Sequence, residues 1–124
     1  QMCLIDRCYG KYAIAAVNIF TMEQVLGLFS AAHKCQSPFI VQTTPVARNY
    51  AHPEMLLSMI DAASKIYPDV VYALHLDHGN EDHALAAIAS EQYTSVMIDA
   101  SHDDFVKSIQ NDLQSFKKKT LDKI

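Results

Sequence analysis

The chain has 124 residues, half of them hydrophobic, and its 14 acidic against 10 basic side chains give a formal net charge of −4. That is enough chain for one folded unit over residues 1–124, and the acidic balance argues against a nucleic-acid surface. No apolar run approaches the roughly 20 residues of a membrane span, and residues 1–7 lack the charged-then-apolar layout of a signal peptide.

The elements alternate. Residues 12–17 form the first candidate strand. Thr21-Met22-Glu23-Gln24 then matches a capping box, with Thr21 as N-cap and Gln24 reaching back. The helix that follows puts Val25, Leu28, Phe29 and Ala32 on one face and ends near Lys34. Ser37-Pro38 breaks the chain, and residues 39–42 read as a second strand. Pro53 suits a first helical turn, and Met55, Leu56, Met59, Ile60 and Ala63 keep a helical period until Tyr67-Pro68. Residues 70–75 form a third strand, Asn80 caps a third helix, and residues 94–98 form a fourth strand. A fourth helix is expected from Asp103-Asp104 towards Lys117-Lys118-Lys119, with acids at its start and bases at its end. That lysine run is the only basic cluster and reads as a solvated helix end. The order βαβαβαβα with apolar strands implies an α/β fold with a parallel sheet covered by helices. Four such units fit either an open doubly wound sheet or half of a TIM (β/α)8 barrel, which typically needs about 250 residues.

Functional groups of parallel α/β folds gather beyond the carboxyl ends of the strands. Polar residues fall there four times in this chain. Asn18 follows strand one, and Thr43 and Thr44 follow strand two. Asp77 and His78 follow strand three, and Asp99, Ser101 and His102 follow strand four. No GxGxxG, GxxxxGK[ST] or GxSxG motif is present, which leaves nucleotide fingerprints and a nucleophile elbow without support. The lysines avoid the strand ends, so a Schiff-base lysine is not indicated. Imidazole from His78 and carboxylate from Asp99 suit zinc or a similar divalent ion. Each residue also has a plainer reading. His75 lies within a strand and reads as a packed or supporting histidine. Asp77 could cap a turn. His33, His52 and His83 read as surface or capping residues, and Met55 and Met59 as core filling. Cys3, Cys8 and Cys35 are odd in number without a CxxC spacing, which favours thiols in a reducing compartment and a cytoplasmic location.

Four stretches carry a resemblance. They are Ala16-Val17-Asn18-Ile19-Phe20 with Glu23-Gln24, Ser37-Pro38-Phe39-Ile40-Val41-Gln42, Ala73-Leu74-His75-Leu76-Asp77-His78-Gly79, and Thr94-Ser95-Val96-Met97-Ile98-Asp99-Ala100-Ser101-His102. Together they resemble the N-terminal half of a class II, metal-dependent ketose-bisphosphate aldolase, the group of fructose- and tagatose-bisphosphate aldolases. The likeness covers roughly residues 11–109, and residues 110–124 match poorly. It implies a (β/α)8 barrel and cleavage of a ketose bisphosphate to dihydroxyacetone phosphate and glyceraldehyde 3-phosphate. By resemblance, Asp77 is the acid/base on the C4 hydroxyl and His78 a ligand of a catalytic Zn2+ that stabilises the enediolate. Asp99 falls at the position of a second cation, divalent or monovalent. Asn18 and Thr44 lie near the phosphorylated sugar, and His75, Ser101 and His102 support the site. The resemblance also implies a homo-oligomer, dimer or tetramer. Departures are Ala100 for the usual Gly, Val17 for an aromatic, and Ser90-Glu91-Gln92-Tyr93 for an Ala-Gly-Phe turn. The family's later glutamate, its two further zinc histidines and its Gly-rich phosphate loops have no counterpart, so the chain alone is expected to be an inactive, incomplete unit. The competing expectations are a non-catalytic half-barrel that oligomerises through its open sheet, and a flavodoxin-like binding module, which lacks a phosphate cradle here.

Overall fold

The computed structural model describes residues 8–101. The expected fourth helix and His102 lie outside them. Within them the elements are β1 (Ala16–Asn18), α1 (Met22–Cys35), β2 (Phe39–Thr43), α2 (Pro45–Ala51), α3 (Pro53–Ile66), β3 (Tyr72–Gly79), α4 (Glu81–Ala89) and β4 (Ser95–Ile98).

All strand pairs are parallel, and the sheet order is β1-β2-β3-β4. This order decides between the two architectures. A doubly wound sheet reverses its strand order, whereas a barrel adds each strand beside the last. Successive right-handed crossovers in one direction place every helix on the same face. The chain is therefore an α/β half-barrel of four strands. The burial of β2 alternates accordingly. Phe39, Val41 and Thr43 are buried towards the helices, while Ile40 and Gln42 are half-buried on the other face. The core lies between sheet and helices and is built on Val25, Phe29, Val41, Leu56, Ile60 and Leu74.

Local signals explain most boundaries. Thr21 and Gln24 form the capping box in full, and Gln36 ends α1 in the left-handed region. Asn80 accepts from the His83 N–H and starts α4. β3, expected over residues 70–75, spans Tyr72–Gly79, and two further features differ from expectation. β1 begins at Ala16 rather than residue 12, because its partner β2 is preceded by Pro38, which has no N–H to extend a ladder. The helix α2 was not anticipated. Thr44 caps it through its hydroxyl, 3.1 Å from the Ala47 N–H, and Pro45 occupies its first turn.

One polar link crosses the core layer. The nearly buried Arg48 donates from Nη1 to the Tyr93 hydroxyl at 2.8 Å, and that hydroxyl shares a hydrogen bond with Thr43 Oγ1 at 2.8 Å. On the opposite end of the sheet, His33 and Gln36 of the α1 terminus both bond Asp69 at 2.9 Å. That arrangement lowers the Asp69 pKa, through Gln36 first and His33 second. His33 and His52 are exposed as expected, whereas His83 is half-buried with its Nδ1 enclosed and unpartnered among the described residues.

Candidate active site

β3 does not stop at His75. It runs on to Gly79, and its last residues hold the central groups. In a regular strand, consecutive side chains point to opposite faces, so Asp77 and His78 could not share a site. The ladder to β4 shows how they do. Leu76 pairs with Val96 and Gly79 pairs with Ile98, so β3 takes three steps (76 to 79) where β4 takes two (96 to 98). The extra residue makes a β-bulge, and His78 adopts φ of 55° within it. Bulges re-aim side chains in this way and are frequent beside active sites. Gly79 closes the bulge at a point of close approach. A Cβ there would lie 2.6 Å from Leu76 Cδ2 and 3.2 Å from His83 Cβ.

A chain of polar contacts then crosses the rim. Asn18 Nδ2 donates to Asp77 Oδ2 at 3.1 Å. Asp77 Oδ1 lies 3.7 Å from His78 Nε2, and His78 Nδ1 lies 3.1 Å from Asp99 Oδ2. Asp99 Oδ1 accepts from the Ser101 N–H at 3.0 Å, while the Asp99 N–H donates to Gly79 O at 2.8 Å and extends the ladder beyond β4. The structure therefore brings Asn18, Asp77, His78, Asp99 and Ser101 together. The Asp77 side chain is 16% exposed and that of His78 is 57% exposed, so the carboxylate is sheltered beneath an open imidazole.

Hydrogen bonding keeps Asp99 ionised. Asp99 is held down to about 2, first by the Ser101 hydroxyl, then by the Ser101 N–H and by His78. In the tautomer that carries its proton on Nδ1, His78 donates to the Asp99 carboxylate and keeps a lone pair on Nε2, the atom 3.7 Å from Asp77 Oδ1. Because the Asp99 pKa is depressed on folding, its contribution to stability is present above the unfolded value of about 4 and is lost as pH falls through about 2. The stability difference between the natural protein and Asp99→Asn should accordingly shrink across that window in urea melts. A difference that stays constant from pH 6 to pH 2 would contradict this.

The other expected residues sit apart from this chain. His75 Nδ1 lies 2.6 Å from Ser95 Oγ on the adjacent strand, with its pKa lowered by burial and partly restored by Asp77. Ser95 was missed in the sequence because only the His75–Ser95 register reveals the pair. The Thr44 hydroxyl is engaged in capping α2.

A catalytic zinc takes about three protein ligands. Among the described residues, no group of three or more His, Cys, Asp or Glu side chains is placed to hold a metal. What is present fits one ligand: His78 Nε2, with Asp99 orienting the ring from behind as carboxylates behind metal-bound histidines commonly do.

A half-barrel with its acids and imidazole on the carboxyl rim is the layout of a (β/α)-barrel enzyme. Residues 4–117 match the family described as fructose-bisphosphate aldolase class-II, and the chain belongs to that family. Fructose-bisphosphate aldolase 2 of Cereibacter sphaeroides is 41% identical over 90 residues, which is 73% of this chain and 25% of that protein. Fructose-bisphosphate aldolase of Giardia intestinalis is 34% identical over 114 residues, 88% of this chain and 35% of that protein. The crystal structure of the YdjI aldolase from Escherichia coli K12 superposes with a TM-score of 0.74 at 25% identity, covering 86% of this chain and 40% of that one. The chain thus spans about a quarter to a third of the length of the curated relatives it matches. No helix among the described residues is long and apolar enough to cross a membrane.

Proposed function

We propose that this chain supplies the acid/base and one metal ligand of a class II aldolase that cleaves a ketose 1,6-bisphosphate, fructose or tagatose, to dihydroxyacetone phosphate and glyceraldehyde 3-phosphate. The observation that carries the reading is the bulge at the end of β3, which turns Asp77 and His78 to the same side. As a carboxylate, Asp77 takes the proton of the C4 hydroxyl. The C3–C4 bond then breaks, C4 becomes the aldehyde carbon, and the electron pair passes to C3 and the C2 carbonyl. A bound divalent cation, Zn2+ in this proposal, supplies Lewis-acid stabilisation of that charge. His78 Nε2 would hold it, with Asp99 and Ser101 keeping the ring in place. A second cation would lie at Asp99. Asn18 and Thr44 line the rim on the β1 and β2 side, where the substrate would lie; His75 and His102 are assigned supporting roles.

In this proposal, the remaining metal ligands and the phosphate sites belong to the rest of a longer cytoplasmic, homo-oligomeric protein, and these 124 residues alone do not turn over. The alternative reading is a non-catalytic half-barrel scaffold derived from the same family.

A coupled assay of fructose and tagatose 1,6-bisphosphate cleavage separates the two. The whole protein should cleave at least one substrate, lose activity with a chelator and regain it with Zn2+. No cleavage of either, in any metal, would leave the scaffold reading standing.

A further inference from the structure

The seven-residue helix α2 starts at the Thr44 cap and carries the nearly buried Arg48 one turn later. A helix this short is marginal by itself and depends on its packing. Yet Val46 is 69% exposed and Tyr50 is 74% exposed, and the buried residues of α2 are Ala47 and Arg48. One methyl group and one long guanidinium side chain therefore seat the helix on the sheet. Burying a guanidinium costs free energy unless hydrogen bonds satisfy it. Arg48 Nη1 donates to the Tyr93 hydroxyl at 2.8 Å, and its Cζ lies 5.5 Å from the centre of that ring.

Tyr93 is itself anchored. The next residue, Thr94, donates to Leu74 O of β3 twice, from its N–H at 2.9 Å and from its hydroxyl at 2.7 Å. The Tyr93 hydroxyl also shares a hydrogen bond of 2.8 Å with Thr43, the last residue of β2. Thr43 faces the helices, and the extended Thr44 after it faces the other way. Arg48 thus reaches both threonines. It reaches Thr43 through Tyr93, and its own N–H donates to Thr44 O at 3.0 Å. The Thr44 hydroxyl accepts from the Ala47 N–H at 3.1 Å, so its proton remains to be donated. The first turn of α2 sets where that hydroxyl points, and Arg48 sets where α2 sits.

We propose that Arg48 is a positioning residue for the Thr44 hydroxyl, acting through Tyr93. The tether holds α2 against the sheet, and Thr44 then donates to an oxygen of the phosphorylated sugar as it binds at the rim. This hydroxyl lies apart from the bond that breaks, so its contribution falls on binding and not on cleavage. The inference rests on the aldolase reading for its kinetic test but not for its exchange test.

The test uses the whole protein and the variants Arg48→Met, Arg48→Lys and Tyr93→Phe. Met keeps much of the apolar stem and removes the donors, while Phe keeps the ring and removes the hydroxyl. Arg48→Met and Tyr93→Phe should each raise KM for the cleaved ketose bisphosphate about fivefold to tenfold, with kcat within about twofold, the scale of one lost hydrogen bond. Arg48→Lys can still donate to Tyr93 and should recover most of that loss. Added to Thr44→Val, the Tyr93→Phe change should raise KM no further, since both act at one hydroxyl. An unchanged KM in both Arg48→Met and Tyr93→Phe, or increases that multiply in the double variant, would overturn the proposal. Hydrogen exchange supplies a readout without turnover. In Tyr93→Phe the amides of residues 47–51 should exchange about tenfold faster than in the natural protein, with those of α1 and β2 unchanged. Equal protection of α2 in the two proteins would overturn the proposal too. A whole protein that cleaves no ketose bisphosphate would instead remove the aldolase reading and leave the exchange test to judge Arg48.

Discussion

Asp77→Ala in the whole protein should lower kcat for ketose-bisphosphate cleavage by about 10²–10⁴-fold, the range general acid–base groups contribute. Asp77 is the carboxylate at the rim that is sheltered, held by an amide and adjacent to an imidazole. Asp99 is also a rim carboxylate, but both its oxygens are taken, one by His78 and one by Ser101. Its depressed pKa makes it a poor proton acceptor. A proton on the C4 hydroxyl therefore has one suitable destination in this part of the site. Asp77→Asn keeps the shape and should lose a similar factor, because the missing element is the basic oxygen and not the volume. Stopped assays on purified, folded variants measure this directly. Activity within tenfold of the natural protein in both variants would remove Asp77 from the mechanism.

Much of the fold was legible because local chemistry and global topology agree. Thr21 and Gln24 announced α1, Asn80 announced α4, and the run of apolar strands with intervening helices announced a parallel sheet. The strand-end rule also named the residues that meet at the rim, from Asn18 to Ser101. What stayed hidden depended on register. Two adjacent side chains on a strand should diverge, and nothing in Leu-Asp-His-Gly states that a bulge turns them together. The pairing of His75 with Ser95 is likewise invisible until β3 and β4 are aligned. Thr44-Pro45 is also a helix start, but its place directly after a strand masks that signal, so α2 is legible only in the structure. The choice between doubly wound sheet and barrel needed the strand order, which local periodicity does not encode.

The fold offers a second large effect. Phe29→Ala should destabilise the protein by about 3–5 kcal/mol, the range for aromatic truncation in a packed core. Phe29 is fully buried on the inner face of α1. Its ring stands edge-on to Phe39 with centroids 5.3 Å apart and to Tyr72 at 5.1 Å, so one side chain joins α1 to both β2 and β3. Such pairs add about 0.5–1.5 kcal/mol beyond area burial. The half-barrel makes the site hard to repair. The helices cover one face of the sheet, so the helix-to-sheet layer is the packed core of these residues, and a void there has rigid strands on one side. Phe29→Leu keeps most of the volume and should lose about 1–2 kcal/mol, the difference measuring cavity and ring contacts together. Met97, by contrast, is 41% exposed on β4, and its truncation should change stability by less than about 0.5 kcal/mol in the same preparation. Urea melts of the three variants give the order. If Phe29→Ala fell no further than Met97→Ala, the layer between α1 and the sheet would not be the core that holds this fold.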